Sequence, residues 1–193
     1  MYSSERYAQA RLGPLHYAVL TRDCESVRKL LQRRIDVTAK NQDGDTALHM
    51  LRHPRKRISA RDAALTAEEW QMECAKLEKD IIRQLSSVNK RCFHAQDAAG
   101  NTPLMNCMQV ADIDHDLVKE LMEQENIRSN MRMPNFGVNF DVVNNEGDSL
   151  MDLAFECGRD DFVQLICFYH FDRNEPVSVT ATLYNVRVRT CSQ

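Results

Sequence analysis

What this chain lacks narrows it first. Six glycines among 193 residues leave no run from which a phosphate-cradling loop could be built, so the glycines present serve turns. No apolar stretch approaches the length of a membrane-spanning helix. The opening Met-Tyr-Ser-Ser-Glu-Arg-Tyr is without the basic-then-apolar build of a secretory signal. Positive charge is not in excess: the formal net charge is −3, which argues against general nucleic-acid binding and leaves only local patches to consider. The seven cysteines are odd in number and show no paired framework in their spacing. Most stand where an apolar side chain would serve, as Cys74 does in Trp-Gln-Met-Glu-Cys-Ala-Lys-Leu, which reads as reduced thiols. The expectation is a soluble chain working in the cytoplasm or nucleus. With 43% hydrophobic and 27% charged residues it is long enough for one domain with a core.

Catalytic chemistry is equally sparse. A nucleophile, base and acid must be brought together by the fold, and none of the six histidines or seven cysteines carries a local signature of such a set. Cys92-Phe93-His94 offers two metal ligands, but two more at zinc spacing are missing. The expectation is therefore no enzyme, no catalytic residue, no metal, no cofactor and no small-molecule substrate.

What is present is a recurring joint. Asn41-Gln-Asp-Gly-Asp-Thr-Ala-Leu-His-Met-Leu51 joins a turn to a helix start: Asp43-Gly44 supplies positive φ, and Thr46 is a good N-cap. The same grammar returns as Ala-Gly-Asn-Thr-Pro-Leu-Met from Ala99 and as Glu-Gly-Asp-Ser-Leu-Met-Asp from Glu146, with a worn copy at Gly13-Pro14-Leu15-His16-Tyr17-Ala18. From the worn copy on, Leu15, Ala18 and Val19, and then Val27, Leu30 and Leu31, fall at helical spacing. Two helices and a turn make one unit.

On these residues the chain resembles an ankyrin-repeat protein, whose unit is 33 residues of turn plus two helices with a Thr-Pro-Leu-His-x-Ala signature. The signature proline position holds Pro14, Ala47, Pro103 and Leu150, at intervals of 33, 56 and 47, one full period followed by two interrupted ones. The resemblance implies an all-α fold: an ankyrin-repeat solenoid of helix-turn-helix units with extended fingertip loops. Its domain covers 1–170, with repeats at about 12–39, 40–88, 93–126 and 138–170. One insertion falls at about 53–66, where His53-Pro54 ends a helix. From Thr66, whose pairing with Glu69 reads as a capping box, an elongated outer helix runs to about Ser86. Its first half should project beyond the stack or fold over a neighbour. A second insertion lies at 126–137. Residues 171–193 form a C-terminal extended tail in which Val177 to Val188 alternates with the period of a strand; it either packs as a strip over the last repeat or serves as a linker.

In the family the signature threonine caps the helix and bonds the histidine three residues on, tying adjacent repeats. Thr46 and His49 keep that pair. Gly13 replaces the threonine before His16, Met105 replaces the histidine after Thr102, and Ser149 with Asp152 substitutes a capping box. The family's partners usually lie on the concave side, formed by tips and inner helices. That implies a protein-protein interaction module, an adaptor, scaffold or competitive inhibitor, with Gln42, Asp43, Asp45, Asn101, Asn145, Glu146 and Asp148 near the tips. Met50, Met105, Met108, Met151, Asn106 and Phe155 would come from the inner helices. The tip acids also fit turn chemistry, and the methionines also fit core packing. If the face is used, its partner presents apolar anchors flanked by basic residues. Irregular insertions resemble ankyrin proteins that viruses and intracellular bacteria direct at host proteins, which would place the chain in a host cytosol. Arg52, Arg55, Lys56, Arg57 and Arg61 form a basic patch: a solvated loop, or an attachment point for nucleic acid or membrane. A targeting domain or fragment of an enzyme is the remaining alternative.

Overall fold

Pro14 opens the first helix, Pro14–Leu20, where its missing N–H has no partner to lose. The helix closes over Arg22, which takes φ 58°. Its N–H reaches the Val19 carbonyl at 3.1 Å while that of Asp23 reaches Ala18 at 2.9 Å. This double closure usually employs glycine, as the chain itself does at Gly158, with φ 64°. Asp23 then caps the next helix, Cys24–Gln32, by accepting the Ser26 N–H. The computed structural model describes residues 12–55, 60–111, 113–126 and 142–170, without the side chains of 60–61, 125–126 and 167–170. The second insertion expected at 126–137 and the tail at 171–193 thus lie almost wholly outside the described residues.

Among those residues the secondary structure is helical, apart from one isolated antiparallel bridge between Val143 and Ser149. Four short helices, Pro14–Leu20, Ala47–Arg52, Pro103–Met108 and Leu150–Glu156, pack each against the next and form an inner row. Cys24–Gln32, Ala67–Val88, His115–Asn126 and Asp160–His170 form an outer row in the same way. The inner helix expected from Thr46 to Arg52 is a 3-10 helix, Ala47–Arg52. Its six residues make two tight turns before His53-Pro54. The first insertion contains a further helix, Ala60–Ala64, in keeping with its alanines.

The long outer helix, Ala67–Val88, begins with the expected capping box. Thr66 Oγ1 accepts the Glu69 N–H at 3.2 Å and Glu69 returns the bond to Thr66 N–H at 2.9 Å. Its buried residues, Glu78, Ile81, Ile82, Leu85 and Ser86, all lie in its second half, which faces the neighbouring outer helices. The core runs between the rows: Val19, Val27, Ile81, Ile82, Met108, Val118, Met122, Ala154 and Ile166 are wholly buried.

One polar group crosses this core. Arg22 Nε donates to Glu78 Oε1 at 2.8 Å, Nη1 to the Val19 carbonyl at 2.9 Å, and Nη2 to the carbonyls of Leu51 at 3.0 Å and His53 at 2.8 Å. A single guanidinium therefore satisfies the carboxyl ends of two inner helices, whose last carbonyls have no intrahelical donor. It also pins the long outer helix to both. Burial raises the Glu78 carboxyl above its ordinary range, and the guanidinium offsets this only in part.

Candidate interaction surface

Three turns repeat one hydrogen-bond pattern. Asn41 Oδ1 accepts the N–H groups of Asp43 and Asp45; Asp97 Oδ1 accepts those of Ala99 and Asn101; Asn144 Oδ1 accepts those of Glu146 and Asp148. Each turn closes with the glycine N–H returning to that Asx carbonyl, and Gly44, Gly100 and Gly147 have φ of 77°, 81° and 91°. The Asx residue three before glycine is the signal for this tip, visible in the sequence but not singled out above.

The tips are joined to one another. Ala98 N–H donates to the Asp43 carbonyl at 3.2 Å, and Asn145 N–H donates to that of Ala99 at 3.0 Å. Side chains repeat the link: Lys40 Nζ reaches the Gln96 carbonyl at 2.7 Å, and Gln96 Nε2 reaches that of Val143 at 3.0 Å. Beneath them, His16 Nε2 bonds the Asp45 carbonyl at 2.9 Å and His49 Nε2 the Asn101 carbonyl at 3.1 Å. His49 Nδ1 meanwhile accepts the Thr46 N–H at 3.0 Å. His16 thus makes its bond without the threonine that Gly13 replaces. At the third junction, where Met105 stands in place of histidine, Asn144 Nδ2 donates to Asn101 Oδ1 at 3.2 Å instead. Thr102 caps its helix by accepting Met105 N–H, and Ser149 and Asp152 form the expected capping box.

Of the tip residues expected to face a partner, Gln42, Asp43, Asn145 and Glu146 are exposed, with Ala98 and Ala99 between them. Asp148 and Phe155 are half-buried. The others require correction. Asp45 is 2% exposed because Arg52 holds it with two bonds of 2.9 Å. Asn101 and Asn106 are buried, Asn106 donating to Asp97 at 2.8 Å. Met50, Met105 and Met108 are core residues, at 2%, 1% and 0% exposure, and of the four inner-helix methionines expected on the concave side only Met151 is half-buried.

The basic patch is also dispersed. Arg52 turns inward to Asp45 and, at 3.7 Å, to Asp97. Arg55 lies 4.5 Å over the Trp70 ring and 3.3 Å from Asp62. Lys56 and Arg57, and the side chain of Arg61, lie outside the described residues. Asp45, His49 and Asp97 could place three ligand atoms within 4.8 Å of one another. Arg52 supplies the positive charge there, and both His49 nitrogens are already bonded. Burial pushes the Cys107 thiol up to about 12 and also raises Cys24 and Cys74, the reverse of what a thiolate nucleophile needs.

No helix of the described residues is long and apolar enough to cross a membrane. No curated protein matches the chain. Residues 12–42, which hold the first helix pair and lead into the first of the three tips, match the family model of the ankyrin repeat, so an ankyrin repeat stands at the head of the inner and outer rows.

Proposed function

We propose that the chain is a four-unit ankyrin solenoid and a non-enzymatic protein-binding module, and that its partner docks across the row of tips. The observation that supports this reading is the cross-linked tip row. Three Asx turns bonded within themselves and to one another offer Gln42 and Asp43 at one end and Asn145 and Glu146 at the other. A surface already held in this way needs little ordering when a partner arrives. Two acidic side chains flank the small Ala98 and Ala99, so the complementary partner carries basic residues on either side of an apolar contact. With Met50, Met105 and Met108 interior, the exposed apolar contribution from this chain comes from the alanines and from Tyr17, 60% exposed on the first inner helix.

The role this gives the chain is rigid display, as an adaptor, scaffold or competitive inhibitor. Attachment through the basic insertion is not favoured, because Arg52 and Arg55 are committed to Asp45 and Asp62. Affinity capture with the wild type and with the D43K/E146K double variant tests the reading. Thermal unfolding should be the same for both, since both carboxylates are exposed. Direct binding of the captured partner should weaken at least about tenfold in the variant, with the loss shrinking at high salt. Equal affinity would remove the tips from the interface.

A further inference from the structure

The two sides of the long helix Ala67–Val88 meet their neighbours differently. Towards His115–Asn126 it is bridged by charge: Lys79 bonds Asp116 at 2.8 Å, Arg83 bonds Glu120 at 2.9 and 3.2 Å, and Lys90, just past its end, donates to the Gln124 carbonyl. Towards Cys24–Gln32 the helices touch at one end, where Cys24 Sγ donates to the Leu77 carbonyl at 3.4 Å, and leave a gap at the other. An open groove of about 270 Å³ lies there, lined by Arg28, Leu31 and Gln32 from the first helix and by Gln84, Ser87 and Val88 from the second. Leu31 and Val88 are its apolar residues, Val88 being 51% exposed. The Ser87 hydroxyl is turned back to the Gln84 carbonyl at 2.7 Å. Gln84 Oε1 is buried without a hydrogen-bond partner, an unmet acceptor on the groove wall.

We propose that this groove docks an acidic segment of a partner protein, with an apolar side chain between Leu31 and Val88 and carboxylates over the surrounding arginines. Charge selects this occupant. In a chain of net charge −3, residues 26–35 hold Arg28, Lys29, Arg33 and Arg34, residues 81–96 hold Arg83, Lys90 and Arg91, and neither stretch holds Asp or Glu. Glu25 and Asp36 border the first stretch, Glu25 shared by Arg28 and Lys29 and Asp36 bonded to Thr38. Arg33, Arg34 and Arg91, which follow the two helix ends, are exposed. A helix end favours a cation in its last turn, which Lys29 supplies; Arg34 lies beyond that turn, at φ 57°. Arg22 shares this backbone state but puts its guanidinium into the core, whereas Arg34 is exposed, a strained position whose use lies outside the fold. The groove admits an anchor side chain rather than a whole drug-sized ligand, and arginine clusters bind carboxylates with charge-assisted bonds. Turning the Gln84 side chain outward offers its oxygen to a peptide N–H. A polyanion without apolar side chains would leave the slot between Leu31 and Val88 empty. The groove lies on the outer row and is opposite in sign to Asp43 and Glu146, so its partner is a different one from that of the tips. Of the roles above, two such surfaces suit an adaptor.

Selecting a random peptide library on the full chain, with counter-selection on R34E/V88S/R91E, tests this directly. All three residues are exposed, so thermal unfolding of the variant should match that of the wild type. Enriched peptides should carry Asp or Glu on either side of Leu, Ile or Phe. A synthetic copy of the most enriched one should bind the wild type with a Kd below about 100 μM. Its affinity should fall at least about tenfold on R34E/R91E, with the loss shrinking at high salt, and about threefold on V88S at any salt. D43K/E146K should bind it as the wild type does, which separates the groove from the tips. Failure to enrich acidic sequences, or enrichment of peptides that bind the triple variant equally well, would overturn the proposal. So would a peptide whose apolar residues can be replaced by serine without loss, or duplex DNA that displaces it at a lower concentration than the peptide itself, either of which would make the site a charged surface for polyanions.

Discussion

Arg22 shows how much of this fold can rest on one side chain in an unfavourable backbone state. A residue other than glycine at φ 58° bears a cost of about 1–2 kcal/mol. The fold tolerates it because the guanidinium bonds Glu78 and the ends of two inner helices. The Arg22 and Glu78 side chains are 1% and 9% exposed, so their pairing is little screened, and removing one partner leaves the other buried without compensation. Substitution by methionine keeps both the strain and much of the volume. R22M and E78L should each destabilise by about 3–5 kcal/mol, and R22M/E78L should be less destabilised than the sum of the two, with a coupling of about 1–3 kcal/mol. Urea denaturation of the three variants and the wild type measures the cycle. Additive losses would mean that the pair contributes nothing beyond its parts. Arg22 could not be picked out from sequence, because nothing local marks an arginine as the residue that reaches a glutamate 56 positions away.

The tips act as elements, and their glycines differ by position. Gly147 combines positive φ with no described residue within 4 Å of an added Cβ, so among the described residues G147A meets backbone strain alone and should cost about 1–2 kcal/mol. Gly100 has the same backbone state but packs on Asn145, whose side-chain oxygen would lie 2.6 Å and whose nitrogen 2.7 Å from an added Cβ. G100A must therefore also separate two tips. It should lose clearly more than G147A in chemical unfolding; equal losses would show that the tips do not support one another. What the sequence displayed at this scale was local: the caps at Thr46, Thr66, Thr102 and Ser149, the turn glycines, and the helical spacing of Leu117, Val118, Leu121 and Met122, all buried. What it did not display depends on neighbours. A helix flanked on both sides by its own kind buries more than one stripe, so every residue of Ala47–Leu51 and Asn101–Met108 is buried, where a single amphipathic face would have left the methionines outside. Asp45 looked like a tip acid because its partner, Arg52, lies seven residues on and turns back to it, and basic residues in a loop carry no sign of which way they face.

Across the whole molecule the histidines set a direction for pH. Burial lowers His49, His53 and His94 below their ordinary value, His53 to about 4, with Arg52 adding to the effect on His53. At His49, Asp45 and Asp97 pull the other way while Arg52 opposes them. The geometry agrees with a neutral ring there: Nδ1 accepts the Thr46 N–H and Nε2 is left to donate to Asn101, so a second proton, on Nδ1, would displace the Thr46 bond that holds the ring towards Asn101. A group whose folded pKa is depressed binds its proton more readily in the unfolded chain. Stability from these three histidines is therefore fully present above the unfolded value, about 6.5, and is lost as pH falls from there through the folded values. Glu78, raised by burial, works in the opposite sense: the folded state holds its proton more tightly, so its contribution favours the fold at low pH and fades as pH rises. The histidine contribution is isolated by comparing the wild type with H53Q, which leaves Glu78 and the His53 carbonyl bonded to Arg22 in place. Thermal midpoints of the wild type should fall between pH 6.5 and pH 4, and those of H53Q should fall less steeply over the same interval. Parallel curves would mean that His53 is as well solvated in the folded chain as in the unfolded one.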